Sequence, residues 1–370
     1  MKSKKIIIIF TDSANADNAQ AMKDFLSGDK KNLPIIIGND EFDSVIGRLI
    51  KEKLFSEDGF VNRAVEKFRI RRQATLMDKV PSQEVSFNAN LPAHRKAYNI
   101  LVRYTPCLIV LNDTSIMKDV LAARAKACPD VPVVMAVSGY VLNKQSVNKH
   151  ISRYFVDNMT IKTALVNEGI PEDNVILTDL PIPCSFNKEV RPAEIYEEYK
   201  FEKEKPLLLV AVPAADHTGI REAINELQAF KDDFNIMVSC GLDRDMLVYA
   251  RDRGIKAINE GREEAPFYAL ADIVISRPSP AAIAKAFYKN NLFFSLSPKG
   301  ESEIRTLEYL KDCLAPVTKE NTLTNALKTY LENKETFAPY RDAITARNKE
   351  RTNGSLFKQL ELLVGMAEFV

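Results

Sequence analysis

Short runs of apolar residues alternate with segments of helical periodicity along the first half of the chain. The apolar runs are nearly continuous in Ile, Val and Leu, which is typical of strands buried on both faces of a parallel sheet. Strands are predicted at residues 5–10, 34–37, 107–111, 131–137, 153–156 and 175–177. Helices are predicted between them, at residues 18–26, 43–53, 116–127 and 160–168. This half therefore predicts a doubly covered α/β sheet.

The pattern breaks at residues 181–183, and a highly charged segment at 188–206 follows, which is either a linker or a surface helix. It then restarts with strands predicted at 207–212, 235–240, 256–259, 273–276 and 292–296. The helices between them are predicted at 220–230, 243–252, 265–270 and from Pro280. Two Rossmann-like domains are expected, at residues 1–184 and 185–370, with the helical end of the chain, 340–370, packing back on the first.

Composition narrows the classes of function. A chain of 370 residues is too long for one ordinary core, and a net charge of +1 gives no global attraction to nucleic acid. No apolar run approaches the ~20 residues of a membrane span, and the N-terminal apolar run is too short for a signal peptide. The five cysteines show neither C-x-x-C pairing nor metal-ligand spacing with the three histidines. We expect no metal and a reduced, cytoplasmic location.

One local concentration of charge stands out from this neutral balance. Residues 43–73 place Val, Leu, Ile and Phe among basic side chains that include Arg69, Arg71 and Arg72. Such a segment can lie on an anionic membrane surface. It can equally be a solvated helix on the face of the sheet, and the sequence leaves both interpretations open.

The stretch from residue 272 to 303 carries the clearest candidate chemistry. It predicts a buried strand, a tight loop, a helix, a second strand and a Pro-Lys-Gly turn. Ser279 is a good N-cap, and Pro280 suits the first helical position. A strand that ends beside a helix N-terminus is where α/β proteins tend to bind phosphates.

Several ordered segments resemble a known family. Residues 152–183, the strand end MVSCGLD at 237–243, ALADIVISRPSPAAIAKAF at 269–287 and PKGESE at 298–303 are similar, in order and spacing, to motifs of the GT-B glycosyltransferases that act on diacylglycerol. These are the monogalactosyldiacylglycerol synthases and the processive diacylglycerol glucosyltransferases. The resemblance covers most of the chain.

The resemblance implies a GT-B fold of class α/β, with two Rossmann-like domains whose parallel sheets face an interdomain cleft. It implies an acceptor side in the first domain and a nucleotide-sugar side in the second. The donor, UDP-linked in this family, is a substrate, so no cofactor is implied. The implied acceptor is a lipid or cell-envelope molecule, reached by peripheral contact at the inner face of the membrane.

The sequence departs from the family pattern on the acceptor side. The family loop after the first strand carries three glycines and a histidine in the position of a general base. Here the glycines are gone and Asp17 stands in the histidine position. Asp17 can act as the catalytic base if burial raises its pKa, or it can simply cap the helix that follows. Ser138 and Gly139 stand where an acceptor-side acid is expected. His94 is interpreted as a residue of a polar loop, and His150 as a surface or helix residue.

On the donor side, the sequence keeps some residues of the family pattern and replaces others. Pro213 interrupts the glycine-rich turn, while His217 and Thr218 beyond it either donate to a diphosphate or lie solvated in the loop. Arg277 keeps the family's positive charge, and Lys285 replaces the glutamate that accepts ribose hydroxyls. The predicted donor-binding residues are therefore His217, Thr218, Gly241, Arg277, Ser279, Lys285, Glu301 and Glu303.

Three functions remain open from the sequence. The first is a divergent glycosyltransferase, in which Asp17 is the base and Arg277 stabilises the leaving diphosphate. The second is a catalytically inactive GT-B protein retained for binding or regulation, because glycines, histidine, acid and glutamate are lost together. The third, a sugar-nucleotide epimerase, requires a cluster of acids with a histidine that the sequence does not assemble.

Overall fold

The computed structural model describes residues 4–12, 15–42, 75–213, 219–241, 243–259, 263–350 and 355–367. The chain divides into two compact units. The first consists of Met1–Pro183 together with Asn353–Val370, and the second of Cys184–Thr352. Each unit is built around one six-stranded parallel sheet with its own core.

The first unit has strands β1 (Lys5–Thr11), β2 (Asn32–Gly38), β3 (Leu108–Leu111), β4 (Val133–Ala136), β5 (Arg153–Val156) and β6 (Val175–Leu177). Its helices are α1 (Ala16–Ser27), α2 (Pro92–Tyr104), α3 (Met117–Ala127) and α4 (Met159–Asn167). The strand order is β2-β1-β3-β4-β5-β6. Since the connection from β2 to β3 crosses to the other side of β1, the topological switch point lies between β1 and β3.

The second unit has strands β7 (Leu207–Ala211), β8 (Asn235–Ser239), β9 (Lys256–Ile258), β10 (Ile273–Ser276), β11 (Leu292–Ser295) and β12 (Leu314–Pro316). Its helices are α5 (Pro192–Glu198), α6 (Ile220–Leu227), α7 (Arg244–Asp252), α8 (Ala265–Leu270), α9 (Pro280–Tyr288), α10 (Glu301–Tyr309), α11 (Leu323–Glu332) and α12 (Ala338–Glu350). The order β12-β11-β10-β7-β8-β9 puts the switch point between β7 and β10. The α/β class and the parallel sheets predicted from the apolar runs are confirmed.

The last described helix, α13 (Leu356–Met366), belongs to the core of the first unit. Leu356, Leu360 and Val364 recur at intervals of four residues, so one stripe of the helix faces the sheet and packs with the buried side chains of β1 and β3. Phe357 stacks on Phe25 of α1 with ring centroids 4.7 Å apart. These apolar contacts explain why a segment so distant in sequence stays with the first sheet.

One predicted local structure, the loop around His94, differs from the observed one. His94 was expected in a polar loop but is buried in α2, where Pro92 takes an opening position of the helix and Ala97 and Leu101 continue the buried face. The charged segment at 188–206 contains the exposed helix α5, in agreement with the surface-helix alternative. The helix predicted at 43–53 and the whole basic stretch at 43–73 lie outside the described residues.

Candidate functional site

The switch point of the second unit places a buried arginine at the carboxyl end of β10. Arg277 follows Ser276, the last residue of that strand, and is 5% exposed. Its Nη2 lies 2.7 Å from Oε1 of Glu303, in the first turn of α10. The other carboxylate oxygen of Glu303 accepts the backbone N–H of Lys299 at 2.9 Å. Two predicted site residues are therefore joined in one charge-assisted contact at the place where α/β sheets bind ligands.

The start of α9 lies immediately beside Arg277. The Ser279 side chain accepts the backbone N–H of Ala282 at 3.4 Å and Pro280 opens the helix, which confirms the predicted N-cap. The N–H of Ser279 donates to the Arg277 carbonyl at 2.7 Å, which tightens the turn between strand and helix. The partial positive charge of the α9 N-terminus and the guanidinium thus lie within three residues of each other, an arrangement suited to an anion.

Lys285, predicted to replace a hydroxyl acceptor, is buried on α9 and contacts Oε1 of Glu264. The second oxygen of Glu264 accepts the Ser239 hydroxyl at 3.1 Å, at the carboxyl end of β8. Glu264 is the residue preceding α8, 21 positions from Lys285. Sequence reasoning missed Glu264, which restores a carboxylate beside the position where lysine removed one.

The remaining predicted donor-side residues take no part in the Arg277–Glu303 and Lys285–Glu264 contacts. Glu301 accepts from Arg305 Nε at 2.6 Å, one helical turn along α10. Gly241 lies exposed after β8 with φ of +54°, a left-handed conformation that glycine adopts without strain. His217 and Thr218 lie outside the described residues, while Pro213 is half-buried just after β7.

Asp17, the predicted base, lies exposed at the second position of α1. The N-cap position is occupied by Asn15, so the alternative in which Asp17 caps the helix is wrong. A carboxylate in the first turn still favours the positive end of the helix. The burial that a raised pKa at Asp17 would require is not found there.

The switch point of the first unit instead holds Asp12 and Asp113, which follow β1 and β3. Burial raises the pKa of Asp12, and the negative charge of Asp113 raises this pKa further. Asp12 Oδ1 is fixed by the backbone N–H and the side-chain amide of Asn15, at 2.9 and 2.8 Å. Sequence reasoning missed Asp12, although it is the first acid after a buried strand and the signal was available.

Amide and hydroxyl groups complete this edge of the first sheet. Asn112, 3% exposed, accepts a hydrogen bond from the Ser138 hydroxyl and donates to the Asn15 carbonyl at 3.2 Å. Ser138 stands where the family pattern has an acid. The contact observed at this position is therefore a neutral hydrogen bond between Ser138 and Asn112.

His94 is part of a separate contact between α2 and α3. Its Nδ1 accepts the backbone N–H of Asn88 at 2.9 Å, and its Nε2 lies 3.3 Å from Asp119 Oδ1. Burial raises the pKa of Asp119, and the facing His94 partly offsets that rise. This contact between the buried His94 and the half-buried Asp119 links α2 to α3, and it corrects the loop assignment of His94.

Over the described residues, no three His, Cys, Asp or Glu side chains come together as a metal site. Within these ranges no helix has the length and apolarity needed to cross a bilayer.

Two six-stranded parallel units, each with polar groups at its switch point, define a GT-B fold, and solved structures of that fold match almost the whole chain. MurG from Acinetobacter baumannii has a TM-score of 0.53 at 13% identity, covering 99% of this chain and 100% of that one. MnaA from S. aureus, solved with UDP, has a TM-score of 0.59 at 13% identity, covering 97% and 95%. A Neisseria meningitidis UDP-GlcNAc 2-epimerase bound to UDP-GlcNAc has a TM-score of 0.54 at 12% identity, covering 97% and 99%.

By sequence, the chain is a divergent relative of the processive diacylglycerol beta-glucosyltransferases. The enzyme from Staphylococcus carnosus is 21% identical over 222 residues, 58% of this chain and 56% of the relative. The enzyme from Bacillus cereus is 28% identical over 150 residues, 40% and 38% of the two chains. The matches thus span about half or less of these relatives' length. No protein-family model matches the chain.

Proposed function

We propose that this protein is a glycosyltransferase that moves a sugar from a UDP-linked donor to a lipid or cell-envelope acceptor. The sequence relatives are named as diacylglycerol glucosyltransferases, and structural neighbours were solved with UDP or a UDP-sugar. The observation that carries the proposal is the buried Arg277 at the switch point of the second unit, beside the capped N-terminus of α9.

In this proposal Arg277 and the α9 N-terminus stabilise the diphosphate as it leaves the sugar. Fixed positive charge aimed at developing negative charge is a large catalytic term in a site that works without a metal. His217 and Thr218 are proposed as further donors to the diphosphate. Gly241 and Lys285 are assigned to the donor side, and Glu301 or Glu303 to positioning of the sugar.

The base that activates the acceptor hydroxyl is proposed to be an aspartate of the first unit. Asp17 occupies the family's base position, whereas Asp12 is half-buried and has a raised pKa, the direction of shift that suits a carboxylate base. The variants Asp17→Asn and Asp12→Asn distinguish them, because only the variant at the true base should abolish transfer while leaving donor binding intact.

Titration calorimetry with UDP, UDP-glucose, UDP-galactose and UDP-N-acetylglucosamine tests the donor proposal directly. Arg277→Lys keeps the charge but removes the two-pronged guanidinium, and should weaken UDP binding roughly tenfold. Arg191→Lys, at an exposed ion pair on the approach to α5, is the matched control. Absence of binding by the wild-type chain at millimolar ligand would sink the proposal.

A second candidate is a GT-B protein that binds or regulates without catalysis. It is favoured by one specific observation, namely that Arg277 and Lys285 each contact a carboxylate of the chain itself. A protein of this kind would bind a nucleotide without sugar release. The measurement that separates the candidates is slow hydrolysis of the bound nucleotide sugar, which a glycosyltransferase should show and which should be lost in the base variant.

Contact with the acceptor is proposed to occur at the inner face of an anionic membrane, with the protein peripheral and cytoplasmic. The support is the name of the sequence relatives, which act on diacylglycerol, together with the basic composition of residues 43–73. Sedimentation with anionic vesicles should weaken when Arg69, Arg71 and Arg72 are neutralised. Unchanged pelleting of that variant would dispose of the membrane contact.

A further inference from the structure

The carboxylate of Glu303 bridges two separate segments at the edge of the second sheet. One oxygen contacts Arg277 at 2.7 Å and the other accepts the backbone N–H of Lys299 at 2.9 Å. The side chains of Arg277 and Glu303 are 6% and 14% exposed. This carboxylate therefore lies between the strand-end arginine and the turn that leads into α10, largely shielded from water.

These two donors are of the kind that bind a phosphate. A guanidinium and a backbone N–H at a turn, close to a helix N-terminus, form charge-assisted hydrogen bonds to oxyanions. A carboxylate presents two oxygens in one plane and can satisfy the same donors. Glu303 thus supplies, from within the chain, the negative charge that an anionic ligand would otherwise bring.

The neighbouring contacts repeat this arrangement. Lys285 contacts Glu264, and Arg305 contacts Glu301 on the same helix as Glu303. Cations at this edge are thus already matched by carboxylates of the chain. An incoming diphosphate would gain little from Arg277 unless Glu303 moved away, since the guanidinium already has a partner of opposite charge.

We propose that Glu303 is an internal competitor for the anionic group of the nucleotide, so that diphosphate binding opens the Arg277–Glu303 ion pair. This inference rests on the proposed function and adds an autoinhibitory contact to it. Glu303 is the third residue of α10, so a change of its side-chain rotamer would break its contact with Arg277 without moving the sheet. Release also frees the Lys299 N–H, which couples ligand binding to the turn before α10.

The test compares Glu303→Gln with Glu308→Gln in the full chain, by calorimetry with inorganic pyrophosphate and with UDP. Glutamine keeps the shape and one acceptor oxygen but removes the competing charge. Affinity should rise about 5- to 150-fold in Glu303→Gln, the usual size of the coupling between two binding events on one protein. The Glu308→Gln control removes the same charge from an exposed position of the same helix and should bind like the wild type.

Two further variants serve as controls for this test. Glu303→Asp keeps the charge but shortens the side chain, so it should give a smaller gain in affinity even if Glu303→Gln folds poorly. The double variant Glu303→Gln/Arg277→Gln should lose the gain, because the released arginine is its source. Unchanged or weaker pyrophosphate binding in a folded Glu303→Gln protein would overturn the inference.

The outcomes for this inference and for the proposed function differ. If Glu303→Gln gains pyrophosphate affinity but no protein binds UDP, the competitor role stands and the glycosyltransferase proposal fails. If the wild type binds UDP and Glu303→Gln binds it no better, the competitor role fails and the proposed function stands. If neither protein binds either ligand, both are rejected.

Discussion

At the switch point of the first sheet stand two acids, Asp12 and Asp113, whereas the switch point of the second sheet holds Arg277 in contact with Glu303. Both places are the carboxyl ends of buried parallel strands, where polar groups must be removed from water. The first sheet places like charges together, and the pKa of Asp12 is raised first by burial and further by the charge of Asp113. The second sheet pairs opposite charges.

This difference shows that one topology can prepare two kinds of chemistry. A carboxyl group with a raised pKa exchanges its proton nearer to neutral pH, which suits proton transfer. A buried ion pair holds both groups charged, which suits recognition of a charged ligand or exclusion of it. The proposed division into an acceptor side with a base and a donor side with an anion site follows this contrast.

The largest expected effect comes from breaking an ion pair of the second sheet. Glu264→Ala leaves Lys285 buried without its observed carboxylate contact, and should lower the free energy of unfolding by about 3 kcal/mol, the low end for buried pairs because Glu264 is partly exposed. Urea unfolding of the full chain, followed by circular dichroism, measures the change.

Two variants control this experiment. Lys285→Met combined with Glu264→Gln removes both charges and should recover most of the loss, since no buried charge is left uncompensated. Glu194→Ala, from the exposed pair with Arg191, should leave the stability essentially unchanged. Equal losses in Glu264→Ala and in the double variant would mean that packing, not charge, stabilises this edge.

Removing a neutral hydrogen bond at the edge of the first sheet should lower the free energy of unfolding less than breaking the ion pair of the second sheet. Asn112→Ala removes the acceptor of the Ser138 hydroxyl and the donor to the Asn15 carbonyl, and should cost about 1–2 kcal/mol. Asn90→Ala, at an exposed loop position, is the matched control and should change stability little. A loss as large as that of Glu264→Ala would remove the energetic contrast between the two edges.

The raised pKa of Asp12 predicts the direction in which the stability of the protein changes with pH. Because the pKa of Asp12 is raised on folding, the unfolded chain releases this proton at lower pH than the folded protein does. Stability therefore falls as pH rises from the ordinary aspartate value through the raised one, and the penalty persists above it. Asp12→Asn should remove that fall, and the advantage over wild type should grow with pH in urea titrations.

A second measurement separates the two causes of the raised Asp12 pKa, which are burial and the charge of Asp113. Asp113→Asn removes the repelling charge, so an NMR titration should show a lower pKa at Asp12, though still above the ordinary value because burial is the larger cause. Asp130→Asn, at an exposed turn, changes one carboxylate without touching the switch point. If Asp12→Asn and Asp130→Asn give the same pH profile, the switch point is not the source of the effect.

The framework of both sheets could be predicted from sequence because its signals are local. Runs such as Ile6–Ile9 have to be buried on both faces, and Ser279 with Pro280 marks a helix start. The contacts of the site could not be predicted in this way. Arg277 and Glu303 are 26 residues apart and meet only because β10 pairs with β11, which precedes α10.

Two residues of the first unit show what the sequence patterns leave out. Asp17 is predicted as the base because it aligns with a family histidine, and alignment carries no information on burial; the strand that ends at Thr11 indicates Asp12 as the less exposed acid. His94 was placed in a loop since its neighbours are polar. The spacing of His94, Ala97 and Leu101 after Pro92 is a helical signal that was available.

The smallest expected effects come from two glycines and have opposite signs. A Cβ added at Gly241 or at Gly365 meets no atom within 4 Å, so the backbone alone decides the outcome. Gly241, in the second unit, has φ of +54°, and Gly241→Ala should lower the free energy of unfolding by about 1 kcal/mol. Gly365 lies within α13 of the first unit, and Gly365→Ala should raise it by about 0.5 kcal/mol.

This pair also tests the role given to Gly241 on the donor side. If its role is only to let the chain turn after β8, Gly241→Asn should recover part of the stability lost in Gly241→Ala, since asparagine tolerates a left-handed backbone better than alanine does. UDP affinity measured by calorimetry would then follow stability across the two variants. A loss of UDP binding in a fully folded Gly241→Asn protein would instead mean that the nucleotide approaches this backbone closely, and would extend the donor site from β10 to the end of β8.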